Sequence, residues 1–244
     1  MDHYHDLSKP TPVEGAENTS AHGVGVVVEF RVSGLTRYLS HAELMRVFQR
    51  ACVRADLALE YSHGYNPRPR LSLPLPKPVA VESEGDLLCL RLKDAGDGEE
   101  ALAADVARRM SGQLPQGLEV LSVRVVPRKA SYQAEGAIYR FPLKAALSTD
   151  ELQVRAGLLL ARESLVVDRR DGDEDRDARQ VDVRPFVEAV EAVDGDLEVH
   201  CRICPNGSIR VGEILELLGL AREQLAGPIR RTAIRWRCPA SSSS

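Results

Sequence analysis

No apolar run in the chain approaches the ~18 residues that a membrane-spanning helix needs, so none is expected. The stretch before Gly23 is mostly polar and lacks the apolar core of a secretory leader. CxxxCxxC is absent, which excludes an iron–sulfur cluster held by three closely spaced cysteines. HEXXH and a glycine-rich phosphate loop are absent too. No Ser/His/Asp or paired-carboxylate spacing stands out. The chain therefore offers little for catalysis and no sign of a cofactor, and the cytoplasm is the expected compartment.

Cysteine is sparse. Cys52, Cys89, Cys201, Cys204 and Cys238 are odd in number and lack framework spacing, so free thiols are expected. Cys201 and Cys204 form the one CxxC, beside His200 in LEVHCRIC. That segment reads as a strand, and strand residues three apart face opposite sides. Two partly buried thiols are expected there rather than a metal site.

What is present suits one large domain or two small ones, at 244 residues with 43% hydrophobic and 28% charged. The net charge is −4, so no global basic field advertises nucleic acid. Charge is uneven, however. Gly23–Ala80 holds eight Lys/Arg against four Asp/Glu, a local +4.

Residues 1–22 read as a disordered tail, with His3 and His5 in it, and 238–244 as another. VGVVVEFRV (24–32) alternates as a half-buried strand. Ser40 and Glu43 form a capping box for a helix over 41–55. Leu44, Val47, Phe48, Ala51 and Ala55 make its apolar face, and Arg46, Arg50 and Arg54 a basic stripe opposite. LSLPLP (71–76) reads as an edge strand, because its prolines cannot donate to a ladder. A strand over 86–93, a helix over 99–111 and a strand over 118–126 follow. After a linker at 127–136, a strand over 137–144 leads to a helix opened by Ser148-Thr-Asp-Glu151. The charged insertion 168–179 reads as a solvated loop or hairpin tip. Strands, a short helix at 211–219 and a last strand complete the chain. The expected fold is α+β: two tandem ferredoxin-like (β-α-β-β-α-β) units with antiparallel sheets, at 23–126 and 137–237.

Tyr61–Arg70 reads YSHGYNPRPR. Pro67 and Pro69 fix their own φ and hold Asn66 and Arg68 extended. Arg68 and Arg70 then fall on one side, where a stiffened backbone lowers the entropy lost on gripping a phosphate. Tyr61 and Tyr65 either stack on bases or anchor the loop in the core. His41 opens the basic helix, where a histidine can contact phosphate, act as a general base or bond to its own turn. His63 lies in the stiffened loop and is a candidate partner for it.

Several segments resemble the radical SAM-linked protein family, a bacterial domain fused to or encoded beside a radical-SAM protein. They are RYLSH (37–41), ELMRVF (43–48), Arg50-Ala51, YSHGYNPRPR (61–70), VESEGD (81–86), LPQGL (114–118), VDVRPF (181–186) and IRRT (229–232). The resemblance covers about residues 24–236. His63 stands where that family leads us to expect Gln, and Val211 where it leads us to expect Pro. The resemblance implies a separately encoded radical-SAM protein as partner, since this chain lacks that enzyme's cysteines.

Three functions follow as expectations. The first is a non-catalytic accessory module that recognises structured RNA through an arginine-rich surface. Its candidate binding residues are Arg37, His41, Arg46, Arg50, Arg54, Tyr61, His63, Tyr65, Asn66, Arg68 and Arg70. The second is a protein-only adaptor. The third is a metal-independent endoribonuclease with His41 as base and Tyr38 or an arginine in support, by likeness of plan to CRISPR repeat endonucleases.

Overall fold

The computed structural model describes residues 23–93, 98–144, 149–169 and 179–238. The tail at 1–22, most of the one at 238–244, the Ser148 cap and most of the insertion lie outside them. The fold is a mixed α+β arrangement with a mostly antiparallel sheet and, among the described residues, four α-helices.

The first half runs β1 (Val24–Val32), α1 (His41–Arg54), β2 (Leu71–Ser72), β3 (Glu82–Leu92), α2 (Glu99–Ser111) and β4 (Leu118–Val126). β1 pairs antiparallel with β3 on one side and β4 on the other, and β2 pairs with the end of β3. Alternation sends Val26, Val28, Phe30 and Val32 to a core shared with Leu44 and Phe48 of α1 and Val106 and Met110 of α2. The capping box forms as the sequence predicts: Glu43 N–H donates to Ser40 Oγ at 3.3 Å, and Ser40 N–H to Glu43 Oε2 at 2.9 Å. Phe30 and Phe48, both buried, meet edge to face at 4.6 Å. Phe48→Ala is expected to cost about 3–5 kcal/mol, read as a shift of the denaturant midpoint. An unchanged midpoint would mean that this ring pair does not hold α1 to the sheet.

The second half runs β5 (Gln133–Phe141), α3 (Thr149–Leu160), β6 (Val166–Arg169), β7 (Arg179–Asp182), β8 (Val187–Val193), β9 (Asp196–Arg202), α4 (Val211–Leu217) and β10 (Arg230–Arg237). β6 and β7 pair as a separate ribbon at the base of the insertion. The expected linker at 127–136 is shorter, because β5 already begins at Gln133. A second core gathers Phe141, Leu197 and Val199 of this sheet against Leu152 and Ala156 of α3 and Ile214 of α4.

The two halves do not keep separate sheets. The strand order is β4-β1-β3-β10-β5-β9-β8 in one continuous sheet, with β2 beside β3. The join is a short parallel pairing of Arg230–Arg231 with Glu82–Ser83. Trp236 Nε1 adds a hydrogen bond to Gly85 O at 3.0 Å.

Candidate functional site

β1 and β3 run antiparallel, so the first half has two distinct ends: Val32/Ser83, and Val24/Leu92. The predicted site residues divide between them.

At the first end stand Arg37, Tyr38 and His41. Arg37 is already engaged. It donates to Gly34 O at 2.9 Å and to the Tyr38 hydroxyl at 3.0 Å, and lies 3.7 Å from Glu82. Its guanidinium also stacks 4.6 Å from the Tyr38 ring centre. His41 is half-buried at the start of α1, and its Nδ1 is buried with no hydrogen-bond partner.

The loop from Tyr61 to Arg70 lies at the other end, beyond Leu92. α1 alone separates the ends by about 21 Å, from its 14 residues. His41 and His63 therefore do not meet. The loop is a hairpin. Tyr61 bridges Pro69, and Ser62 N–H donates to Arg68 O at 2.8 Å. Arg70 N–H donates to Glu60 O at 2.7 Å, and Arg91 N–H to Arg70 O at 3.0 Å. Gly64 turns the tip with φ +136°, a conformation that side chains rarely adopt. Neither tyrosine anchors in the core: Tyr61 is 42% exposed and Tyr65 100%. His63, Asn66 and Arg68 are exposed as well.

The basic stripe forms in part. Arg46 and Arg50 face solvent on α1. Arg54 instead ties α1 to the turn after α2, donating to Gln113 O at 2.7 Å and Gln113 Oε1 at 3.2 Å.

Reasoning from sequence missed a cleft on the helix-free face of the first half. It has a volume of about 490 Å³, and its lining includes Arg70, Arg91, Arg128, Lys129 and Tyr132. Alternation carries Arg91 to this face, because its neighbours Leu90 and Leu92 enter the helix-side core. Arg70 is its cross-strand neighbour, as Leu71 pairs with Leu90. Period-2 reading of DLLCLRLK would have found Arg91. Nothing local signalled Arg128 and Lys129, which arrive where the chain leaves β4 and crosses that face. Glu60 neutralises Arg128 through contacts of 2.7 and 2.9 Å, and the Arg128 hydrogen bond holds the Glu60 carboxyl below its usual range. No described carboxylate lies within ion-pair reach of Arg46, Arg50, Arg68, Arg70, Arg91 or Lys129.

A second charged group, also missed, sits where β3 meets β10. Arg231 is wholly buried and pairs with buried Asp86, which also accepts from Ser83 Oγ. Burial pushes the Asp86 carboxyl up against the opposing pull of Arg231. Lys77, also buried, donates to Arg37 O at 2.7 Å, Pro78 O at 2.8 Å and Val81 O at 3.1 Å. Burial, then Arg231, push its ammonium down to about 8 from an ordinary 10.5. Between those values the folded chain has lost a proton that the unfolded chain keeps, so stability rises with pH across that window. Denaturant midpoints measured from pH 7.5 to 10 are expected to rise relative to those of Lys77→Met. A constant difference between the two proteins would contradict this.

The CxxC holds no ligand set. Cys201 is buried in β9, where burial pushes its thiol up to about 12, and Cys204 lies beyond the strand, bridging Gly207. No group of three or more His, Cys, Asp or Glu among the described residues is arranged to hold a metal. None of the described helices is long and apolar enough to cross a membrane.

The chain is thus an α+β protein with a basic hairpin edge. The family described as "Uncharacterized protein conserved in bacteria (DUF2344)" matches residues 26–215, most of the chain, and the protein belongs to it. No curated protein matches the chain.

Proposed function

We propose that this protein is a non-catalytic accessory module that recognises structured RNA through its hairpin and the adjoining basic cleft. One observation carries the reading. Arg70, Arg91, Arg128 and Lys129 line one cleft against the carboxylate of Glu60, which pairs with Arg128 and also attracts Arg91 and Arg70, and the neighbouring hairpin adds Arg68 and the fully exposed ring of Tyr65. Unpaired guanidinium groups suit phosphates, and a solvent-facing ring suits a base. The hairpin base is pinned by backbone bonds, which hold the exposed tip out from the sheet. The Arg46/Arg50 face of α1 points away from the cleft and supplies a separate contact.

The strand order within each half, β4-β1-β3-β2 and β10-β5-β9-β8, supports reading the chain as two ferredoxin-like units fused through β3 and β10. The resemblance to the radical SAM-linked family supports a separately encoded radical-SAM protein as partner and a cytoplasmic setting. In that pairing this chain supplies recognition and the partner supplies chemistry.

The test is a titration of labelled structured RNA without divalent metal. Intact RNA is expected to shift, and to bind at least about tenfold more weakly when salt rises from 50 to 200 mM. Unshifted RNA at both salts, or cleaved RNA, would overturn the reading.

A further inference from the structure

A second cavity lies between the two halves, on the far side of the β3–β10 join from the hairpin. Its volume is about 370 Å³. The segment 75–81 forms one wall and residues around α4 the other. Ile209, Ile229 and Val81 give it an apolar floor. Lys77, Arg210, Arg222 and Arg231 contribute positive charge to the lining; no carboxylate is among the lining residues, although Glu213 lies 4.0 Å from Arg210.

Arg231 is the informative member. It is wholly buried, yet its Nε has no hydrogen-bond partner. Its other nitrogens are engaged by Asp86 and by Pro76 O at 3.3 Å. A buried guanidinium N–H left unmet is costly, because the group has lost water and gained nothing in exchange. Asp86 balances one of the two buried cations, Lys77 and Arg231, and Arg222 adds a third charge near the surface without a described carboxylate partner. The depressed Lys77 ammonium fits the same excess of positive charge.

We infer that this cavity binds a small organic anion, a carboxylate or phosphate monoester with an apolar body. The anionic end sits at Arg222, over the buried positive charge of Arg231, and the body rests on Ile209 and Ile229. This inference does not depend on the RNA reading.

Calorimetric titration of the full chain with benzoate and, separately, phenyl phosphate tests it, in a buffer free of both kinds of anion. At least one probe is expected to bind with a Kd below about 1 mM. Binding by benzoate alone assigns a carboxylate, by phenyl phosphate alone a phosphate, and by both the shared anionic chemistry. Arg231→Gln risks the fold, so two milder variants serve. Arg222→Gln removes a cation from an exposed residue. Val79→Asp sets a negative charge in the lining at a residue 55% exposed. Each is expected to weaken binding by at least about tenfold while leaving the RNA shift unchanged. No heat from either probe at 10-fold above that Kd, or wild-type affinity in both variants, would overturn the inference.

Discussion

Asp86→Ala is expected to destabilise the protein by about 3–5 kcal/mol, because it leaves Arg231 charged and uncompensated in the interior. Both side chains are almost fully shielded from water, so solvent cannot replace the lost partner. The site is also where the two halves share strands. Only Arg230–Arg231 and Glu82–Ser83 are paired between β3 and β10, and Ser83 itself bonds to Asp86. At about 2–4 °C per kcal/mol for a chain of this size, the melting temperature should fall by roughly 10 °C. Loss of cooperativity, with two transitions in place of one, would show that the ion pair couples the halves. The double replacement Asp86→Leu with Arg231→Met removes both charges together and is expected to recover most of the loss. Wild-type stability in Asp86→Ala alone would contradict this account of the join.

The second large effect concerns the hairpin. Arg68→Ala combined with Arg70→Ala is expected to weaken RNA binding about 10- to 100-fold at 50 mM salt, as two phosphate contacts with their counterion release are lost. The fold should hardly notice. Arg68 is exposed, and Arg70 makes one long side-chain bond, 3.4 Å from Nε to Tyr61 O. Thermal stability within about 0.5 kcal/mol of wild type therefore accompanies the affinity loss. Unchanged affinity in the double variant would remove the hairpin from the interface.

Much of the fold was legible because local signals were strong. The alternating valines of β1, the Ser40/Glu43 box and the apolar face of α1 each specify their element without help from distant residues. The fusion of the sheets was not legible. Residues 230–231 and 82–83 lie far apart in the chain, and neither segment looks like a partner for the other. VESEGD and IRRT, distant in the chain, are joined through Asp86 and Arg231. LPQGL has a structural reason too. Gly117 has φ +94°, its carbonyl accepts from Ser33 N–H at 2.8 Å, and an added Cβ would crowd Ser33 O at 2.4 Å. VDVRPF is a locked turn, with Asp182 Oδ1 accepting from Leu165 N–H at 2.8 Å and Arg184 donating to the Leu160 and Val187 carbonyls. YSHGYNPRPR differs from these. Its base is stitched, and its tip makes no contact that the core requires. Of the predicted site, the Tyr61–Arg70 segment closes as a hairpin through Ser62 and Arg68. Arg37 and Arg54 were not recognisable as structural ties, because their partners are backbone carbonyls and side chains that only the fold brings near.

The central claim is that phosphates are gripped by this end of the sheet. The most direct test is the slope of log affinity against log salt for structured RNA, compared between wild type and the Arg68→Ala/Arg70→Ala variant. A steep wild-type slope is expected, and a variant slope shallower by about two. Two identical slopes would contradict it, whatever the absolute affinities.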